Sequence, residues 1–357
     1  MTPKPRARDL GIPFEGSPGP LNAITDVRGV EVGMTTLIRG ESCRTGVTIL
    51  HPRGKQSHDP VFASTFALNG NGEMTGTAWI EEGGFLEGPI GITNTHDVGC
   101  VRDTIIRWQI ENKAMFQPWS CPVVAETADG WLNDINGFHV RPEHVLSALQ
   151  SAGGGPVAEG NVGGGTGMIC YEFKGGTGTS SRKLPESLGG YTVGVLVQAN
   201  FGRRYQLVVA GVPVGHHLTE HAPVTNGEHP YREQGSIIII VATDAPVLPI
   251  QLKRIAKRAG LGLARTGSMA GNGSGDIFVA FSTANPGAAR PASGVADLRA
   301  LSNEHIDPLF HATVYATEEA IINAMIAAET MTGRDGVTIH AIPHDRLGEL
   351  LRRYARG

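Results

Sequence analysis

Seven short blocks of the chain are apolar and bounded by glycine, proline or polar residues: Gly46–Leu50, Pro89–Thr93, Tyr191–Ala199, Gln206–Val212, Ser236–Thr243, Ile277–Ser282 and Val337–Ile342. Their length and β-branched content predict strands. Many are apolar on both faces, which implies sheets covered by other layers. Helical spacing is rarer. "RPEHVLSALQSA" predicts one helix, stopped by Gly153-Gly154-Gly155, and "VLPIQLKRIAKRAGLGLARTG" places Ile255, Ala256 and Ala259 on one face of another. "TEEAIINAMIAAETMTG" predicts a third, with Thr317 as N-cap, two acids in the first turn and Gly333 beyond its end. "HDRLGELLRRYARG" closes the chain. Strands between helices without a regular β-α-β alternation predict an α+β protein, with two packed sheets and helices outside. No linker-like stretch divides the 357 residues, so one domain is expected.

Composition narrows the classes. Hydrophobic residues make up 40% and charged residues 18%, as in a globular protein. A net charge of -4 offers no basic surplus for nucleic acid. The apolar run 237–242 is too short to span a membrane, and "MTPKPRARDLG" lacks the apolar core of a signal peptide. Four separated cysteines without a CxxC pair fit reduced thiols, so a cytoplasmic location is expected. The 49 glycines, about twice the usual ~7% share, mark tight turns and close backbone approaches.

Candidate chemistry centres on "GNGSGDIFVAFSTAN", where Ser274 sits on a glycine-rich turn ahead of a buried strand. Asn272 and Asp276 break the nucleophile-elbow pattern, and the glycines precede a strand rather than a helix. Two readings stay open: a plain turn feeding a core strand, or a serine that attacks the Gly273 carbonyl and leaves Ser274 with a free amine as its own base. "HHLTEH" matches the HxxEH zinc pattern through His217, Glu220 and His221, although the flanking Pro213 and Pro223 oppose a long helix. Asn200, at the end of "VLVQAN", is either a turn residue or an oxyanion donor. Glu126 and Asp129, after "PVVA", either clamp an ammonium or lie in a solvated turn. Thr317 and Glu319 suit a helix start. "ALNGNGEMTG" and "EGNVGGGTGM" could cradle phosphate through backbone amides, but neither carries the P-loop Lys-Ser/Thr pair.

"GSPGPLNAITDVRGVEVGMTTLIRG", "ALNGNGEMTGTAWIEEGGFLEGPIGITNTH", "EGNVGGGTGM", "VQANFG" and "NGSGDIFVAFSTAN" together resemble the L-aminopeptidase/D-amidase-esterase family, which includes β-peptidyl aminopeptidases. The resemblance runs through "HAIPHDRLGELLRRY" and so covers nearly the whole chain. It implies a four-layer α-β-β-α sandwich, similar in layering to the amino-terminal nucleophile hydrolases but differently connected. It also implies a self-cleaving serine aminopeptidase or amidase, with chains 1–273 and 274–357, that releases amino-terminal residues from short peptides, amides or esters. In that reading Gly273-Ser274 is the cleaved bond, Ser274 the nucleophile and Asn200 the oxyanion donor. Thr317 and Glu319 orient the new amine, and Glu126 holds the substrate's amino group. No metal or cofactor is expected, and a tetramer of processed units is. Ala128 stands where some relatives carry a tyrosine that assists the oxyanion, and Thr317 where some carry serine. The alternatives are an acyltransferase of the ornithine acetyltransferase type on the same fold, and a zinc hydrolase using His217, Glu220 and His221.

Overall fold

The computed structural model describes residues 4–223 and 234–355. Its strands are β1 (Glu31–Arg39), β2 (Cys43–His51), β3 (Val61–Gly70), β4 (Phe85–Leu86), β5 (Ile90–Thr93), β6 (Val123–Glu126), β7 (Ile169–Cys170), β8 (Phe173–Lys174), β9 (Gly176–Lys183), β10 (Thr192–Asn200), β11 (Gln234–Thr243), β12 (Gly273–Ser282), β13 (Met331–Thr332) and β14 (Thr338–Ile339). The α-helices are α1 (Thr77–Gly83), α2 (Val98–Glu111), α3 (Pro142–Ser151), α4 (Pro249–Arg265), α5 (Asp307–Ile326) and α6 (His344–Arg353). One sheet runs β1-β2-β5-β6, and the larger runs β4-β3-β12-β11-β10-β9.

Alternation along the strands builds the layers. Leu50, Ile90 and Val123 of the first sheet meet Leu196, Ile238 and Val279 of the second in one apolar cluster between the sheets. The opposite face of the first sheet packs Val47 and Ile49 on Val101, Ile105 and Leu149 of α2 and α3. The opposite face of the larger sheet packs Val195, Ile239 and Phe278 on Leu252, Ile255, Ile321 and Met325 of α4 and α5. The order is helices, sheet, sheet, helices, the α-β-β-α sandwich expected. β11 lies mid-sheet, parallel to β12 and antiparallel to β10.

Several elements differ from the sequence reading. Residues 206–212 are not a strand: Ala210 and Gly211 both have positive φ, and only a bridge between Val209 and Val212 forms. Their apolar side chains still cover the helix-side core. The third helix starts at Asp307, with Pro308 in its first turn, so Thr317 is no N-cap. It sits mid-helix and donates its hydroxyl to the Thr313 carbonyl, 2.8 Å away. The polar strand β9, "GTGTSSRK", is buried because amino-terminal residues occupy it: Arg6 donates to the Thr179 carbonyl, and Ser181 receives the Gly19 N–H and donates to Asp26. The predicted 337–342 strand shrinks to β14, and the last helix ends at Arg353, with residues 356 and 357 outside those described.

Candidate active site

Both serines that could act as nucleophile follow a glycine at the head of a central strand. The two strands are parallel, and their register is offset by one: Gly235 pairs with Ser274, and Ser236 pairs with Gly275. Paired residues share a face, so the offset puts the two serines on opposite faces of the sheet. Ser274 shares the face of Phe278 and Ala280, toward the helices. Its side chain is fully buried and donates to Asp276 Oδ1 at 2.7 Å. Ser236 shares the face of Ile238 and Ile240, toward the space between the sheets.

That space opens, at this end of the sheets, into a cavity of about 1260 Å³ whose wall includes Ser236, Gly235, Asn200, Glu126, Thr95 and Gly273, but not Ser274. Gly235 has no room for a side chain: a Cβ there would lie 2.4 Å from the Asn200 carbonyl oxygen. Ser274, the nucleophile expected from the sequence, thus lies on the helix side of the sheet, away from this cavity. "GS" at the head of the apolar run "IIIIVA" repeats the Gly-Ser pair at 273–274, and this is the sequence signal that points to Ser236.

Asn200 ends β10 as the register partner of Ser236. Its Oδ1 accepts the Ile169 N–H at 2.8 Å, which fixes the amide's orientation. Its Nδ2 donates one of its two hydrogens to the Ala128 carbonyl at 2.9 Å. Ala128 thus contributes its backbone, and no side-chain hydroxyl, to the cavity wall. Glu126 ends β6 and is buried; Oε1 accepts the Glu73 N–H at 2.9 Å and Oε2 accepts the Thr95 hydroxyl. Burial raises its carboxyl above the ordinary range, against the lowering effect of the Thr95 and Glu73 bonds. A carboxylate held this way gains from a cationic ligand, which replaces lost hydration. Asp129 is buried off the cavity, receives the Asn133 amide at 3.0 Å, and is pushed up to about 7 by desolvation. It is neither a solvated turn residue nor an ammonium clamp.

Glu319 lies elsewhere. Its carboxylate takes Arg8 at 2.8 and 2.9 Å, Asn22 at 2.6 Å and Arg182 at 2.7 Å. Ser181, whose N–H donates to Asn22, fixes this cluster on the outer strand β9, with β10 and β11 between it and β12. The guanidinium groups and Asn22 hold Glu319 below the usual range against its desolvation. Thr317, packed where a Cβ on Gly262 would touch it, is likewise a core residue between α4 and α5. Their hydrogen-bond and ion-pair partners do not include Ser274, beside which the family resemblance would put them.

The HxxEH residues diverge. His217 pairs with the Tyr354 hydroxyl at 2.9 Å, Glu220 with Arg346 at 3.1 Å, and His221 stacks on His340 at 4.3 Å between centroids. No long helix forms there, only a 3-10 turn at Val214–His216. The phosphate-cradle reading also fails. The Gly163 and Gly164 amides are spent on Thr36 and Thr48, and the Asn71 and Glu73 amides on Ser274 and Glu126.

Residues 22–339 match the model of peptidase family S58. The chain belongs to that family. It is 53% identical to the β-peptidyl aminopeptidase BapA of Sphingosinicella microcystinivorans, over 99% of this chain and 93% of that protein. The solved L-aminopeptidase D-Ala-esterase/amidase of Ochrobactrum anthropi, described as a prototype of the serine aminopeptidases and a variant of the Ntn hydrolase fold, superposes with a TM-score of 0.92. It is 49% identical, with 99% of both chains covered. A Burkholderia sp. β-aminopeptidase superposes at 0.91 with 48% identity, covering 98% of this chain and 99% of that one. This S58 chain is a hydrolase of the serine aminopeptidase type, which favours the peptidase reading over the acyltransferase and zinc alternatives. Among the described residues, no helix is long and apolar enough to cross a membrane.

Proposed function

We propose that this S58 peptidase cuts itself at Gly235-Ser236 and then uses Ser236 to remove amino-terminal residues from short peptides, amides and esters. The observation that carries the reading is the presentation of Ser236, and not Ser274, to the cavity that also holds Asn200 and Glu126. In the first step Ser236 Oγ adds to the Gly235 carbonyl carbon, the C–N bond breaks, and the acyl group passes to oxygen. Water hydrolyses the ester, leaving a free carboxylate on Gly235 and a free amine on Ser236. That amine has an ordinary pKa of about 7.7–8.0 and takes the hydroxyl proton in each later turnover.

Substrate enters with its ammonium toward Glu126 and its carbonyl toward Asn200. The tetrahedral oxyanion takes the second Asn200 amide hydrogen, and the leaving amine takes the proton held by the Ser236 amine. Ser274 and Asp276, on the strand beside the new terminus, are positioning residues for the amine. The names of the relatives support β-amino-acyl substrates, and L-amino-acyl or D-alanyl amides and esters beside them.

Intact mass under denaturing conditions on wild type, Ser236→Ala and Ser274→Ala tests the reading. Fragments 1–235 and 236–357, absent only from Ser236→Ala or slowed in Ser274→Ala, are expected. Fragments 1–273 and 274–357 would restore Ser274 as nucleophile, and an uncut wild-type chain would overturn both.

A further inference from the structure

Lys174 is the last residue of the β7–β8 hairpin and is wholly buried. Its ammonium donates to the Met168 carbonyl at 2.7 Å and the Gly175 carbonyl at 2.9 Å. Among the described residues, Lys4 and Cys170 are the titratable groups that act on it, and no carboxylate does. A buried charge with dipoles but no counter-ion is costly. Burial accordingly pushes this ammonium down to about 7.

The Met168 carbonyl belongs to the same planar peptide group as the Ile169 N–H. That N–H is the one received by Asn200 Oδ1 at 2.8 Å. The chain is therefore continuous: Lys174 ammonium, Met168–Ile169 peptide, Asn200 side-chain amide, cavity. Charge at one end of two linked amides draws electron density toward it. Each N–H farther along becomes a stronger donor, by about 10–30% per bond. We propose that Lys174 is a positioning residue of the hydrolytic reaction, orienting and polarising the Asn200 amide through the Met168–Ile169 peptide. The proposal rests on the reading of Asn200 as oxyanion donor. The hairpin is well placed to carry it. Tyr171 and Glu172 turn it with consecutive positive φ, Lys174 N–H binds the His340 carbonyl, and Tyr171 N–H binds the Phe201 carbonyl.

A double-mutant cycle separates this role from a structural one. Lys174→Met, Asn200→Ala and the double variant are assayed on one amide substrate, with rates normalised to the processed fraction. Loss of an oxyanion donor costs about 10²–10³ in kcat. Lys174→Met is expected to lower kcat about tenfold or more with KM within about twofold, and to cost nothing further when Asn200 is already alanine. Equal losses in both backgrounds, or a change in KM alone, would overturn the proposal. If Asn200→Ala is processed too slowly to yield enough cut enzyme for turnover, the same cycle is read on the first-order rate of chain cleavage. If Asn200→Ala is as fast as wild type in both steps, the oxyanion reading itself falls.

Should Lys174→Met not fold, uncut Ser236→Ala carries the test by 15N NMR. The Asn200 side-chain resonances are expected to shift with the same pH midpoint as the Lys174 Nζ resonance. Their indifference to that midpoint would sink the idea.

Discussion

Glu126 shows what one residue's surroundings do to its chemistry. Its two protein hydrogen bonds fix both carboxylate oxygens, yet burial still raises its carboxyl. The proton is therefore held to higher pH than in solution, and a protonated Glu126 has no charge for an ammonium. KM for substrates with a free amino terminus is expected to rise as pH falls through that raised value, with kcat changing less. Glu126→Gln should raise KM about tenfold or more and flatten this acid limb, since a charge-assisted hydrogen bond of ~1.5–3 kcal/mol is lost. An unchanged KM across the pH series would remove Glu126 from substrate binding. That Glu126 and Asn200 each close an apolar strand was legible in the sequence, and the structure adds that both line one cavity. The setting of Glu319 was not legible. Arg8, Asn22 and Arg182, the partners that define it, lie 137 to 311 positions away along the chain.

At the scale of elements, the decisive quantity is a register. Two Gly-Ser pairs head two parallel strands, and a shift of one residue determines which serine faces the cavity. Sequence patterns define each strand's two faces but not which neighbour fixes their offset, so 236 and 274 could not be ranked from the sequence alone. Gly235 gives this register a direct test. A methyl group there would press on the Asn200 carbonyl oxygen and the Phe201 backbone, both unable to swing aside. Gly235→Ala is expected to leave most of the chain uncut in denaturing mass spectra and to lower Tm by several degrees, in line with ~1–3 kcal/mol of overpacking. Cleavage at the wild-type rate would show that β10 and β11 are not held at this spacing. The α5 start was misplaced for a related reason. The acids at 318 and 319 look like a first turn, but the helix starts at Asp307 and so buries Leu309, Phe310 and Ala312.

For the whole molecule, the layers were legible because strands apolar on both faces require cover from both sides. β9 was hidden because its side chains are polar: the amino-terminal segment satisfies part of them, and the α5 backbone accepts from Ser180 and Arg182. The same topology governs the fate of the two pieces. A cut before Ser236 leaves β11 and β12 on one piece and β3, β10 and β9 on the other, so both flanks of the β11–β12 pair are bonded to the larger fragment. The cut enzyme should elute as a single species in native size exclusion and separate into two only in denaturant. Separation in plain buffer would contradict the interleaved sheet.

The central place of β11 also sets a clock for synthesis. Ser236 leaves the ribosome before β12, α4 and α5, which hold its strand in line from one side and from the helix layer. A growing chain that ends anywhere before residue 282 has the serine without the strand that aligns it. If the proposed cut at Gly235-Ser236 operates, it waits until β12, α4 and α5 have been made, and the ribosome-bound precursor lacks the Ser236 amine that would serve as base.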